Sequence, residues 1–249
     1  MNYNDTHQII ILAAGKGTRM GTNLPKVMHK IGGVPMLEAV LKNSLKVTND
    51  VVIVYSKQLE EYLTPYKNLC KFALQEEQLG TGNAVYAAIG LINPNKIVAV
   101  LYGDHPLITP DIIDNLINHL ESTNSDLVTL AFKTENPAQY GRIVTDEAGN
   151  FLEIVEFKNA TEKEKEIKLC NSGIMAFAPG ILTKHLDICI SEGSSNPETY
   201  LTSMVKICRD SGHKVSYLSL ESEDSKLLIG VNTQAELLEA TSLFDDINY

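Results

Sequence analysis

The 249-residue sequence has no apolar run approaching the roughly 18 residues that a membrane-spanning helix needs. Its N-terminus, MNYNDTHQ, lacks the basic start and long apolar stretch of a secretory signal. The four cysteines, Cys70, Cys170, Cys189 and Cys208, lie far apart with no C-x-x-C pair, which disfavours a disulfide framework or a zinc site. The six histidines are equally scattered and show no metal-ligand spacing. Positive charge is short as well: 21 Lys and Arg against 31 Asp and Glu leave a net charge of −10. An acidic chain is a poor general binder of nucleic acid, so a local cluster of cations gains meaning. No internal repeat, low-complexity tract or linker interrupts the sequence. These deficits predict a cytoplasmic protein that binds neither nucleic acid nor membrane.

What is present is an ordinary globular composition, 44% hydrophobic and 21% charged, over a length that suits one large α/β domain or two small ones. The chain is organised around residues 9–26, IIILAAGKGTRMGTNLPK. The β-branched run Ile9-Ile10-Ile11-Leu12 predicts a first strand buried on both faces of a parallel sheet. The turn that follows, Ala13, Ala14, Gly15, Lys16, Gly17, Thr18, Arg19, is built of small residues whose backbone N–H groups can approach an anion. Lys16, Arg19 and Lys26 surround it with positive charge, so a phosphate-rich ligand is the natural occupant. The glycines at 15, 17 and 21 are spaced one residue off the dinucleotide fingerprint, and no Walker A pattern is present.

Further along, Pro35 to Leu41 predicts a helix with proline in its first turn, and Val51–Val54 a second strand, with Ser56 placed to cap a short helix. Phe72–Leu74 reads as a third strand, residues 83–91 as a helix, and KIVAVL at 96–101 as a fourth strand. Strands alternating with helices predict a Rossmann-like, mostly parallel sheet with helices on both faces, and ligands bind beyond the carboxyl ends of such strands. From about Glu121 the pattern changes: a strand at 126–133, a hairpin of 140–144 with 151–155, and a charged, mobile surface element at 158–168. A strand at 173–178, helices near 181–190 and 198–209, a strand at 215–220 and a helix from about Gln234 complete the prediction. One domain spanning 1–249 is the better reading, its middle third a substrate-binding insert.

Three groups of residues offer chemistry. Asp104 ends an apolar strand just before a proline, where it is either a turn or helix-capping aspartate or a ligand for Mg²⁺ bridging phosphate oxygens. Asn232, in Gly230-Val231-Asn232 before the last helix, is either its N-cap or a second metal ligand. Gln75, in Q-E-E-Q-L-G-T-G, offers a donor and an acceptor, the complement of a pyrimidine imide edge; the same stretch also reads as a plain polar loop.

The string L-A-A-G-K-G-T-R-M with L-P-K at 24–26 resembles the sugar-nucleotide pyrophosphorylases, a family of nucleotidyltransferases. The resemblance is closest to the N-acetylglucosamine-1-phosphate uridylyltransferase domain of the bifunctional enzyme and runs from Leu12 to Asn232. It implies a nucleotide-diphospho-sugar transferase fold with a nucleotide-binding half (about 1–120), a sugar-binding half (about 121–232) and a C-terminal helix (233–249). It implies that Leu12, Ala13, Ala14, Gly15, Gly17 and Thr18, with Gln75, Gly80 and Thr81, bind UTP. In the stretch L-Y-G-D-H-P-L it makes Asp104 the metal aspartate and gives Tyr102 to the sugar; His105 falls at a variable position and is assigned no role. G-V-N makes Asn232 the second Mg²⁺ residue. Gly141 in Y-G-R-I, Glu156 in I-V-E-F-K, Asn171 in C-N-S-G and Thr202 in Y-L-T correspond to residues that hold the amino sugar. The chain departs from the pattern at Asn83, usually histidine, at Ser203, usually aspartate, at Ile229, usually glutamate, and at Leu169, usually acidic or polar.

The implied reaction joins UTP and a sugar 1-phosphate, the small-molecule partners, to give a UDP-sugar and pyrophosphate. Lys26 would neutralise charge on the α-phosphate and Arg19 would bind the leaving end. The bifunctional relatives continue into hexapeptide repeats that transfer acetyl groups. The chain stops before these, which implies no acetyltransferase activity and leaves the oligomeric state open. A sister enzyme for another sugar or base and a silent nucleotide-sugar sensor are the rival readings.

Overall fold

A computed structural model describes residues 5–193, 198–220 and 224–246. In chain order the strands and helices are β1 His7–Leu12, β2 Lys30–Ile31, β3 Val34–Pro35, α1 Met36–Val47, β4 Val51–Tyr55, β5 Lys71–Leu74, α2 Thr81–Ala87, β6 Ile97–Tyr102 and α3 Pro110–Ser122. Next come β7 Leu127–Lys133, β8 Gly141–Thr145, β9 Phe151–Val155, α4 Glu162–Lys165, β10 Leu169–Phe177, α5 Ile181–Gly193, α6 Ser203–Asp210, β11 Val215–Leu220 and α7 Gln234–Asp246.

One nine-stranded sheet carries the fold, in the order β11-β7-β10-β6-β1-β4-β5, with β8 and β9 branching from β10. β1 lies at its middle, parallel to β4 and β6, with Ile11 level with Ile53 and Leu101. All six residues of β1 are buried, because helices cover both faces of a parallel sheet. The alternation of a strand divides them: Ile9 and Ile11 pack with Leu37 and Leu41 of α1 and Leu116 of α3. Ile10 and Leu12 pack on the other face with Val85 of α2, Leu186 of α5 and Met204 of α6. Each such side chain stabilises by about 1.5–3 kcal/mol on leaving water, which makes β1 costly to displace. The one buried amide on it is satisfied, Gln8 donating to the Leu91 carbonyl at 2.9 Å and accepting from the Asn93 N–H at 2.9 Å.

The sheet is mostly parallel, as expected; within it β10 runs antiparallel to both β6 and β7. Other expectations need correction. Ser56 stands at the N-cap of a 3₁₀ helix, Lys57–Tyr62, but its side chain makes no capping bond. α2 starts at Thr81, two residues early, and gives way at Ala88 to a 3₁₀ turn over Ile89–Leu91. α6 starts at Ser203 rather than near 198. The charged segment 158–168 carries the short helix α4, closed by a capping box of Thr161 and Glu164. The predicted hairpin is present as antiparallel β8 and β9. A third, smaller core of Met20, Ile31, Met36, Leu107, Val231, Ala240 and Phe244 ties α7 to the glycine turn and to β2. Among the described residues no helix is long and apolar enough to cross a membrane.

Candidate active site

The glycine turn leaves the sheet where β1 ends. Ala13 donates to the Val54 carbonyl at 2.8 Å and Gly103 to the Leu12 carbonyl at 2.9 Å, so the turn emerges between β4 and β6. Gly17 has φ 60, and a Cβ there would stand 2.7 Å from Cβ of Lys26. Only glycine lets the turn close onto that lysine, which opens a 3₁₀ turn after Pro25. Against the turn lies a cavity of about 400 Å³. Leu12, Ala13, Ala14, Gly15, Thr18 and Lys26 line one side. Gln75, Gly80, Thr81, Tyr102 and Asp104 line the other.

Lys26 is the centre of charge. Its Nζ contacts Oδ2 of Asp104 and donates at 3.0 Å to Oδ1 of Asn232. Arg19 reaches the same Asn232 oxygen at 3.1 Å. Neither oxygen donor caps the helix that follows it. α3 is capped by Thr109, not by Asp104. α7 is capped by Thr233, whose Oγ1 accepts from the Glu236 N–H at 3.2 Å while Oε2 of Glu236 accepts from the Thr233 N–H at 2.8 Å. Asn232 is thus no cap and keeps its amide oxygen for the cations. Burial alone would raise the Asp104 carboxyl; Lys26 beside it, with a 3.0 Å hydrogen bond from Nδ1 of His105, holds it well below the usual carboxylate range.

A carboxylate oxygen and an amide oxygen converging on one ammonium form a hard, oxygen-only donor set, which fits Mg²⁺. Among the described residues no three His, Cys, Asp or Glu side chains gather as a metal cage. Mg²⁺ is commonly held by one or two protein oxygens with substrate phosphates completing the shell, so the sparse donor set suits it.

On the base side, Gln75 is buried; its Nε2 donates to Oδ1 of Asn83 at 2.7 Å and to the Gly80 carbonyl at 3.2 Å. The loop carrying Gly80 is clasped to residues 199–201. Thr199 donates to the Leu79 carbonyl at 2.7 Å, Gly82 to the Thr199 carbonyl at 2.8 Å, and Leu201 to Oγ1 of Thr81 at 2.9 Å. Gly80 has φ 106 and a Cβ on it would lie 2.4 Å from the Thr199 carbonyl oxygen, so no other residue fits.

The predicted sugar residues are more dispersed. Tyr102 shares the main cavity, its hydroxyl pushed up in pKa chiefly by burial. Glu156 lines a neighbouring cavity of about 230 Å³ and accepts from Thr202 at 2.7 Å; burial raises its carboxyl despite that bond. Gly141 adjoins Glu156, and Asn171 is buried, its Oδ1 accepting from Thr129 at 2.6 Å. Gly141, Asn171 and Thr202 do not line that cavity. Arg19 and Asn232 line a third cavity of about 450 Å³. Gly17 acts from behind, as the contact for Lys26.

Some residues escaped prediction. Glu198 lines both the first and second cavities and joins them, held by Tyr200 at 2.6 Å and Lys158 at 3.2 Å. Arg142 is 2% exposed, with no carboxylate among the described residues on its guanidinium. It donates instead to the carbonyls of Pro137, Ala138, Tyr140 and Lys165, and its guanidinium carbon lies 5.6 Å from the Phe157 ring. It thereby shapes the loop that delivers Gln139 and Tyr140 to the cavities. The available signal was a lone cation among inward-facing strand positions, Gly141-Arg142-Ile143.

Comparison with known proteins places this geometry. The chain is 40% identical over 243 residues to bifunctional protein GlmU of Thermoanaerobacter pseudethanolicus, covering 96% of this chain and 52% of that one. GlmU of Paracoccus denitrificans is 35% identical over 241 residues, with 95% and 52% covered. The chain spans about half the length of the curated relatives it matches. A Bacillus anthracis crystal structure described as a candidate glucose-1-phosphate thymidylyltransferase superposes with a TM-score of 0.78 at 18% identity, over 98% of this chain and 97% of that one. The 4-diphosphocytidyl-2C-methyl-D-erythritol synthase of Anaerococcus prevotii does so at 0.67 and 16%, over 96% and 98%. Both share the fold. Residues 9–165 match the MobA-like NTP transferase domain, and the chain is a nucleotidyltransferase belonging to that family.

Proposed function

We propose that the chain transfers a uridylyl group from UTP to N-acetylglucosamine 1-phosphate, giving UDP-N-acetylglucosamine and pyrophosphate, with Mg²⁺ as cofactor. The observation that carries this reading is the meeting of Lys26, Asp104 and Asn232, from three distant segments, at the mouth of a glycine turn. Such a site handles phosphate charge. The attacking oxygen belongs to a phosphate that is already an anion, so no general base is required, and the Asp104 carboxylate is free of that duty. Catalysis reduces to alignment and charge stabilisation. Mg²⁺ held by Asp104 and Asn232 would screen the phosphates that must approach one another. The Lys26 ammonium stabilises charge growing on the α-phosphate as pyrophosphate departs on the opposite side. Arg19, on the same Asn232 oxygen, takes the departing end.

Uracil is supported by Gln75 in the cavity wall. For the amino sugar the support is the resemblance at C-N-S-G; Asn171 itself is buried, its oxygen taken by Thr129. The departures at Leu169, Ser203 and Ile229 favour a second reading, the same chemistry with another sugar 1-phosphate. Pyrophosphate release, measured with Mg²⁺ across four nucleoside triphosphates and a panel of sugar 1-phosphates, separates the two. Fast release only with UTP and N-acetylglucosamine 1-phosphate is expected. Preference for another sugar moves the weight to the second reading, and silence across the panel leaves a nucleotide-sugar sensor.

A further inference from the structure

The Gln75 amide has two ends, and a base can tell them apart. Its Nε2 faces two acceptors, the Gly80 carbonyl at 3.2 Å and Oδ1 of Asn83 at 2.7 Å. A backbone carbonyl can only accept, so the nitrogen end is bound to that side and Oε1 is left to meet a ligand. Gln75 lines the cavity and Asn83 does not; Asn83 stands behind it in the first turn of α2. The shorter of the two bonds is the one that Asn83 accepts, so this residue holds the amide most firmly.

We infer that Asn83 is a positioning residue for base selection, which fixes the Gln75 amide with its oxygen outward and so selects pyrimidines that carry a donor at N3. Uracil has an N–H there and cytosine a lone pair. A Gln75 locked in this orientation accepts from the first and repels the second. Without Asn83 only the longer bond to the Gly80 carbonyl holds the amide, which then turns over more readily and offers its NH₂ to cytosine. The inference rests on the nucleotide reading proposed above and adds the device that enforces it. A helix-capping or packing role for Asn83 predicts no change in base preference, so the two are separable.

Two near-isosteric variants divide them. Asn83→Asp keeps an acceptor against Gln75, and Asn83→Leu keeps the size and removes it. Initial rates with UTP and CTP, and calorimetric binding of each nucleotide, are compared on the full chain. For Asn83→Leu the UTP-to-CTP ratio of kcat/KM is expected to fall about tenfold, the scale of one lost orienting hydrogen bond, through a raised KM for UTP with kcat within about twofold. Asn83→Asp should retain the wild-type ratio. An unchanged ratio in the Leu variant, or an equal fall in both, overturns the inference; Asn83→Ala replaces Leu if that variant does not fold. Wild-type protein that binds UTP over CTP yet releases no pyrophosphate would defeat the transferase reading and leave this one standing.

Discussion

Lys26 compensates a carboxylate and sits where phosphate charge would arrive, so its removal acts twice. In Lys26→Ala, loss of the ammonium is expected to lower kcat by about 10²–10³, the usual effect of deleting one transition-state donor, while nucleotide affinity changes only a few-fold. Steady-state kinetics beside calorimetric UTP binding check this, and an alanine variant with normal turnover would remove Lys26 from catalysis. The same variant strands the largely buried Asp104 carboxylate, 13% exposed, so its thermal midpoint should fall. At this scale the sequence was most readable where residues sit beside a strand end. Leu12 to Gly15, Thr18, Lys26, Gln75, Tyr102 and Asp104 end or follow strands of the parallel part, and one cavity takes all of them. Arg142 and Glu198 were not readable, since their roles depend on carbonyls and cavities made by distant segments.

Among the elements, the loop before β8 depends on one side chain. Arg142→Met leaves the carbonyls of Pro137, Ala138, Tyr140 and Lys165 without their buried donor. At about 1–3 kcal/mol for each unsatisfied group, partly relieved by water, the stability loss should be about 3 kcal/mol. Urea denaturation measures it, and KM for the sugar phosphate is expected to rise more than KM for the nucleotide; equal effects would make the role purely structural. The apolar β-branched runs made β1, β4 and β6 plain in the sequence, because such strands need only local pattern. The delayed start of α6 was hidden, because Thr199 and Leu201 spend their backbone groups on residues 79–82 instead of on a helix. The direction of β10 was hidden too: pattern shows that a strand is buried, not which way it enters.

For the molecule as a whole, acid stability has an identifiable contributor far from the cavity. His185 on α5 is buried, neither ring nitrogen has a hydrogen-bond partner among the described residues, and its ring meets that of His213 at 4.9 Å. Burial lowers its pKa, aided by His213 and Lys184 and opposed by Asp126. Folding therefore disfavours the protonated ring. The neutral ring's contribution is complete above the ordinary histidine value of 6.5 and is lost as pH falls below it, by at most about 1.4 kcal/mol per pH unit. Urea titrations at pH 7.5 and 5.5 should show a smaller loss for His185→Leu than for wild type, and equal losses would exclude His185. The loss is reduced and not abolished, since burial also lowers His7 and His119.

The inverted strand at the sheet's centre also sets a timetable for synthesis. β6 is covered on one side by β1 early, but its other neighbour is β10, with Ala99 paired to Ala176. A nascent chain that has released β7 cannot seat it, because β7 reaches the sheet only through β10. Until residue 177 has left the ribosome, the apolar edge of β6 stays open to any other extended strand nearby. The strand that carries Asn171 therefore also ends the chain's most adhesive interval, and a ribosome stalled between β7 and β10 would leave behind an aggregation-prone fragment rather than half an enzyme.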